Sequence, residues 1–230
     1  AKRQKYGDMH MGLIQTSVDG FAEYHKIETL FERDERFVVN PSVLKKSVLG
    51  TISAWEVTEK IDGTNVRVML SESGEVTFGG RSNAAQLPAD LYTYLSSTFT
   101  AERVRDAMWI NGPTKAVLYG EGYGAGIQKG GAYRPDKAFI LFDAFVGDKW
   151  WLDRKALEDI AGKLSIDVVP LLGHMTLEEI VELVRTPFPS KIGTALAEGI
   201  VARPLETLFD KRGERVIIKL KTRDFVAGKR

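Results

Sequence analysis

The sequence predicts an α+β domain of two antiparallel sheets with flanking helices. Short β-rich segments separated by turn signals begin in the first third of the chain, at 55–60, 65–70 and 75–79. Later β-rich segments lie at 115–120, 138–145, 198–202 and 215–220. Runs of strands with helices inserted between them are typical of α+β domains.

Four helices are predicted among these strands. One begins at Pro88, and a second amphipathic stretch covers 103–109. Asp153 is the predicted cap of a third helix. Thr176, followed three residues later by Glu179, has the capping-box spacing that begins a fourth. A chain of 230 residues buries about 70% of its unfolded surface, so we expect one substantial core.

The composition excludes several kinds of site. There is no cysteine, which excludes disulfides and thiolate metal sites, and only three histidines, which argues against a histidine-built zinc centre. No run approaches the roughly 20 apolar residues of a membrane span. We therefore expect a protein without a membrane partner, located in the cytoplasm (the host cytoplasm if the protein is viral). We also expect a monomer.

Charge is unevenly spread along the chain. The formal net charge of +1 argues neither for nor against a nucleic-acid partner. From Arg203 onward, however, nine lysines and arginines accompany four acidic residues. Such a strip either binds phosphates or forms a solvated tail, and the pattern leaves both interpretations open.

The segment 1–11 shows no periodicity, and we expect it to be disordered or to derive from cloning. The expected domain then covers residues 12–230. No second domain of the OB type is predicted.

A lysine followed by a turn carries the functional argument. The sequence Lys60-Ile61-Asp62-Gly63 places a lysine at the end of one predicted strand and a tight turn before the next. Such a lysine can point into a cleft rather than into water. Taken alone the motif is weak, because Asp-Gly is also a common hairpin turn.

Further motifs follow in a fixed order. They are Gly80-Arg81-Ser82, Tyr119-Gly120-Glu121, Phe142-Asp143, Glu198-Gly199-Ile200-Val201 and Lys219-Leu220-Lys221. With the lysine motif, this series resembles the covalent nucleotidyltransferase superfamily of DNA ligases, RNA ligases and mRNA capping enzymes. The resemblance extends from Lys60 to Lys221 and is greatest to ATP-dependent RNA ligases of the RNA ligase 2 type. It implies an ATP-grasp-like nucleotidyltransferase domain.

The resemblance also implies roles for individual residues. Lys60 would attack ATP and carry AMP, with Lys219, Lys221 and Glu198 in the catalytic group and Glu198 holding Mg²⁺ (or Mn²⁺). The nucleotide would contact Glu59, Asp62, Asn65, Arg81, Glu121 and Phe142. Gln128 and Asp143 would act on the RNA end or in the second step. The partner would be RNA with 5′-phosphate and 3′-hydroxyl ends.

Physical chemistry gives these residue types a reason. A lysine amine must lose its proton to attack, and nearby cations and partial burial favour the neutral form. Lys219, Lys221 and Mg²⁺ are the expected cations, and they would also stabilise charge on the phosphate. Residues two apart on a strand share a face, so both lysines can reach one cleft while Leu220 faces the core. The alternative is a strand edge that carries protective lysines.

Three alternatives stay open at this stage. Asp62 is the form found in DNA ligases and capping enzymes, so an ATP-dependent DNA ligase is one alternative. Phe142 would stack on adenine by resemblance, but a phenylalanine in an apolar strand is also a common core residue. A catalytically inactive module that binds a nucleotide or an RNA end is the alternative from another functional class.

Overall fold

The structure is a computed structural model that describes residues 20–109 and 111–226. The helices are α1 (Ala89–Thr98), α2 (Ala101–Met108), α3 (Arg154–Leu164) and α4 (Leu177–Arg185). The strands are β1 (Glu28–Thr29), β2 (Phe31–Arg33), β3 (Val39–Leu44), β4 (Trp55–Lys60), β5 (Thr64–Leu70), β6 (Val76–Gly79), β7 (Ala116–Tyr123), β8 (Ala138–Val146), β9 (Trp150–Trp151), β10 (Asp167–Val168), β11 (Leu171–Met175), β12 (Gly199–Pro204) and β13 (Ile218–Lys221). The segment 1–11 lies outside the described residues.

The predicted α+β class is confirmed, while the sheets differ in detail from the prediction. One sheet has the order β1-β13-β12-β4-β11, and the other has the order β10-β8-β7-β5-β6 with β9 added beside β8. A two-stranded sheet, β2-β3, is also present. The predicted all-antiparallel pairing is wrong at two edges, where β1 pairs with β13 and β10 with β8 in parallel. Helix α3 lies between β8 and β10 in the chain, and such a crossover returns the chain in the same direction.

The capping residues in the sequence correctly predicted where α3 and α4 begin. At α4, the Thr176 hydroxyl accepts a hydrogen bond from the Glu179 backbone N–H, and the Glu179 carboxylate accepts one from the Thr176 N–H. This is the predicted capping box. At α3, the Asp153 carboxylate accepts from the Ala156 N–H at 2.8 Å. Each cap satisfies backbone donors that the first helical turn leaves free.

Each large sheet has its own core. Helices α1, α2 and α3 pack on the six-stranded sheet around buried residues that include Val68, Leu95 and Leu164. Helix α4 packs on the five-stranded sheet around a second set, which includes Trp55 and Leu220. Strand β4 belongs to the five-stranded sheet and β5 to the six-stranded one, so the turn 61–63 crosses from one sheet to the other. Within the described parts of the chain, no helix is long and apolar enough to cross a membrane.

Candidate active site

Lys60 is the last residue of β4, at the point where the chain leaves one sheet for the other. The turn after it is tight. A Cβ atom on Gly63 would lie 2.4 Å from the Gly122 carbonyl oxygen, so only glycine fits there. The Lys60 side chain is 23% exposed and lines the cleft of about 420 Å³ between the sheets. The predicted placement in a cleft is what the structure shows.

Glu198 connects two of the predicted lysines. The Lys60 Nζ donates to Glu198 Oε2 at 2.6 Å, and the Lys221 Nζ donates to Oε1 of the same carboxylate. The register explains this contact, because Gly199 lies opposite Lys60 on one side and opposite Lys221 on the other. Glu198, which directly precedes Gly199, is thus held between the two strands. Burial opposes ionisation of Glu198, but the two ammonium groups outweigh it and hold its pKa below the usual value.

Lys219 lines the same cleft but forms no ion pair with Glu198. It lies two residues before Lys221 on β13, and both side chains line the cleft while Leu220 is fully buried in the core. Burial lowers the pKa of Lys219 to about 8, with further contributions from Lys221, Lys60, Arg81 and Lys26. This lysine therefore loses its proton more easily than an ordinary surface lysine.

Three cations of the cleft have no ion pair with a carboxylate of the described residues. They are Lys26, Arg81 and Lys219, all of which line the cleft. Lys60 and Lys221 differ, since both contact the Glu198 carboxylate. An excess of positive charge in a partly enclosed cleft favours an anionic ligand. The sequence predicted that the N-terminal segment, including 26–35, helps to bind ATP or pyrophosphate, but it assigned no residue there because the segment carries no motif. The fold brings Lys26 of this stretch to the cleft.

The six-stranded sheet contributes the opposite wall. Asn65 on β5 and Glu121 on β7 are directly paired in the ladder, and both line the cleft. Burial raises the pKa of Glu121 to about 7, while Lys60 opposes the shift. The Asn65 Oδ1 is buried without a hydrogen-bond partner among the described residues. A carboxyl and an amide thus share one face of the cleft.

Phe142 reaches the cleft through an irregularity in β8. Tyr119 pairs with Asp143 and Gly120 with Leu141, so Phe142 is the extra residue of a β-bulge. It is partly buried, lines the cleft and makes an edge contact with the ring of Tyr24 at 5.0 Å between centroids. The bulge turns an aromatic ring towards the cleft where a regular strand would have continued its alternation.

Two predicted nucleotide contacts are arranged differently from the rest. Glu59 is 1% exposed, and its carboxylate accepts hydrogen bonds from the Ser190 hydroxyl at 2.5 Å and the Lys191 N–H at 2.8 Å. It lines the cleft while holding this loop. Asp62 lies in the turn, where its backbone N–H donates to the Tyr133 hydroxyl. Its side chain is not among those that line the cleft.

The two residues assigned to the RNA end are not brought to the cleft. Gln128 is exposed in the loop after β7, with a positive φ of 48°. Asp143 is fully buried and accepts from the Tyr24 hydroxyl at 2.8 Å and from Arg215 at 2.7 Å, with Arg203 at 3.8 Å. Burial would raise the pKa of Asp143, but these arginines hold it below its usual range. In this structure the Asp143 carboxylate is buried and cross-links the fold through these contacts.

The comparisons with known proteins agree with the motif order. The RNA ligase family model matches residues 53–221, well over half of the chain. The chain belongs to the RNA ligase family. Solved structures of Naegleria gruberi RNA ligase have a similar fold: a mutant with ATP and manganese (TM-score 0.58, 20% identity, 85% of this chain covered) and the ligase with pyrophosphate (0.59, 20%, 86%). This RNA ligase family member spans 58% and 57% of those chains.

Proposed function

We propose that this RNA ligase family member is an ATP-dependent RNA ligase that forms a covalent AMP adduct on Lys60. The carrying observation is the Lys60–Glu198 contact at 2.6 Å inside a cleft where Lys26, Arg81 and Lys219 lack carboxylate partners among the described residues. A nucleophile therefore lies beside an anion-binding surface. The similar ligases solved with ATP and with pyrophosphate support a triphosphate as that anion.

In the first step, the neutral Lys60 amine attacks the α-phosphorus of ATP. A bond forms between Nζ and phosphorus, the bond to the bridging oxygen breaks, and pyrophosphate leaves with the electron pair. Lys219 and Arg81 line the same cleft and would neutralise charge that develops on the phosphates. Lys60 donates to Glu198 in this structure, so this contact must open and the proton must pass to solvent before the amine can attack.

A divalent ion fits this site only together with the nucleotide. The described residues contain no group of three or more metal-ligating side chains, so a closed protein cage is not what this part of the chain offers. Mg²⁺ accepts one or two carboxylates and keeps most of its waters, and Glu198 beside substrate phosphates meets that requirement. When bound, such an ion would supply positive charge at the reacting phosphate. Glu198 also accepts from Lys60, so the residue that would hold the ion is one that contacts the nucleophile.

The base and sugar would be held by the wall formed by the six-stranded sheet. Phe142 presents a flat apolar ring, which suits stacking on adenine. Glu121 and Asn65 lie side by side and supply acceptors and a donor for ribose hydroxyls. Glu59 would act through its loop rather than by direct contact, because its carboxylate already accepts from the Ser190 hydroxyl and the Lys191 N–H.

The second and third steps would act on RNA ends. AMP moves from Lys60 to a 5′-phosphate, and a 3′-hydroxyl then attacks that phosphate and releases AMP. Contacts to a 2′-hydroxyl distinguish RNA from DNA. The sequence prediction of an ATP-grasp-like adenylyltransferase domain over 12–230 stays part of this proposal, as do the monomeric state and the cytoplasmic location. The roles predicted for Asp62, and for Gln128 and Asp143 at the RNA end or in the second step, also stay predictions.

The test compares the sealing of matched nicked duplexes. One carries RNA on both sides of the nick, and the other carries DNA, each with a 5′-phosphate and a 3′-hydroxyl. We expect ATP- and Mg²⁺-dependent sealing of the RNA nick and weaker sealing of the DNA nick. Sealing of DNA alone would support the DNA ligase alternative suggested by Asp62. Tight ATP binding with neither adduct nor sealing would support the inactive binding module.

A further inference from the structure

Arg67 on β5 is a buried cation that the proposed reaction does not use. Its side chain is fully buried, and no carboxylate of the described residues forms an ion pair with it. Its Nη1 is also buried without a hydrogen-bond partner in the described part of the chain. A buried charge without a counter-ion destabilises the fold, which indicates that Arg67 has a function that offsets this loss of stability.

The Arg67 side chain makes two hydrogen bonds, to residues on either side of Arg81 in the chain. Its Nε donates to the Gly80 carbonyl oxygen at 2.9 Å, and its Nη2 donates to Asn83 Oδ1 at 2.7 Å. Between these two residues lies Arg81, which lines the cleft. The guanidinium therefore fixes the turn 80–83 at both ends, through the planar array of donors that only arginine has.

The backbone around this guanidinium leaves no spare room. Gly79 lies opposite Arg67 in the ladder, and a Cβ atom there would lie 3.2 Å from Nη2. A Cβ atom on Gly80 would lie 2.7 Å from that of Ala85. Both glycines thus allow the turn to pack closely on the guanidinium, which restricts the positions open to the residue that follows them.

We propose that Arg67 is a positioning residue that holds the turn 80–83 and thereby aims Arg81 at the phosphates of the bound nucleotide. The inference rests on the proposed function in taking the ligand of the cleft to be a nucleoside triphosphate. Arg81 itself is exposed and has no ion pair with a carboxylate of the described residues. Without a fixed turn, this long side chain would lose more conformational entropy on binding.

The test measures the affinity for inorganic tripolyphosphate by calorimetry, so that no turnover is needed. We expect Arg81→Gln to weaken binding by about tenfold, as for the loss of a charge-assisted contact. Asn83→Ala should weaken it by several-fold, and Asn83→Asp should retain affinity because its carboxylate still accepts from Arg67. Asn83 is exposed, so these variants should fold. Asn40→Ala, exposed on β3, is the matched control.

The decisive measurement is a double-mutant cycle. If Asn83 and Arg67 act through Arg81, then Asn83→Ala or Arg67→Met should weaken binding no further in an Arg81→Gln background. The proposal would be overturned if the losses of affinity in the single variants multiplied in the double variant. It would also be overturned if Asn83→Ala or Arg81→Gln left the affinity unchanged. Failure of the proposed function gives another result: wild-type protein binds tripolyphosphate but forms no AMP adduct, and the cycle still decides the role of Arg67.

Discussion

Two carboxylates that are largely shielded from solvent each contact two cations, but in different surroundings. Glu198 contacts Lys60 and Lys221 in the open cleft, whereas Asp143 contacts two arginines, at positions 203 and 215, in the interior. The exposed fraction is 13% for the Glu198 side chain and zero for that of Asp143. Asp143 also accepts from the Tyr24 hydroxyl, which ties the segment before β1 to β8.

The type of cation matches the surroundings. Arginine keeps its charge and forms several fixed hydrogen bonds, which suits a permanent buried cross-link. Lysine loses its proton more readily and has one flexible point of contact, which suits a site where partners exchange during a reaction. We infer that the Asp143 cluster maintains the cleft and that the Glu198 cluster acts in it. Mutation of the Asp143 cluster should therefore lower stability, whereas mutation of the Glu198 cluster should slow the reaction.

The largest expected effect is on stability, from Asp143→Asn. This change leaves Arg203 and Arg215 without a buried counter-ion, which costs about 3–5 kcal/mol of unfolding free energy. The pKa of Asp143 is depressed in the folded state, so its contribution is present above the unfolded value and is lost as pH falls through the folded value. The variant should therefore lose less stability on acidification than the wild type. Urea unfolding at several pH values measures both effects.

A matched control is Asp159→Asn, which removes an exposed partner of Lys163 on α3. It should change the unfolding free energy by no more than about 0.5 kcal/mol. Equal destabilisation by the two variants would mean that the Asp143 cluster has no special structural role.

The next effect is on rate, from Glu198→Gln. The amide cannot contact the Lys60 amine with a full negative charge or hold a divalent ion as a carboxylate does, so adduct formation should slow by about 10²–10³-fold. The unfolding free energy should stay within about 1 kcal/mol, because the cleft admits water to the two lysines. Single-turnover adenylylation and urea unfolding separate the two quantities. Glu182→Gln, exposed on α4, serves as the control, and a Glu198 variant with normal rates would remove this carboxylate from the mechanism.

The smallest effect is a pH-dependent one, from Glu121→Gln. The folded-state pKa of Glu121 is raised to about 7, so the stability it contributes is complete below its unfolded value and is lost as pH rises through 7. The unfolding free energy of the variant should therefore rise relative to that of the wild type between roughly pH 4.5 and 7, by about 1–3 kcal/mol. Above pH 7 the two stability curves should run parallel. Stability curves that are parallel over the whole range would contradict a raised pKa of the Glu121 carboxyl.

The sequence predicted the parts of the fold that depend on local signals. The strand 55–60 and the cap at Thr176 were located correctly, because alternation and capping depend on neighbouring residues. Six strands of the described residues were missed: the short β1, β2, β9 and β10, and the longer β3 and β11. Strand β3 contains Pro41 and is mostly exposed, and β11 contains Gly173 with an irregular register, so neither has the regular apolar pattern of a strand.

The site was predictable as a set of residues but not as an arrangement. The motif order selected Lys60, Glu198 and Lys221, whereas their contact depends on the register of three strands. The bulge at Phe142 and the position of the Lys26 side chain in the cleft likewise depend on tertiary packing. Asp143 was assigned to the RNA end or the second step through the resemblance of its motif, and only the fold shows its contacts with arginines.

The central claim is that Lys60, and not another lysine of the cleft, becomes covalently adenylylated. Lys219 is the natural competitor, because its lowered pKa of about 8 favours the neutral, nucleophilic amine. The most direct measurement is the intact mass of nucleotide-free protein after incubation with ATP and Mg²⁺, followed by peptide mapping of the adduct. The account predicts one AMP per chain, located on Lys60, retained in Lys45→Ala and absent from Lys60→Ala. An adduct on Lys219, or one that persists in Lys60→Ala, would contradict it.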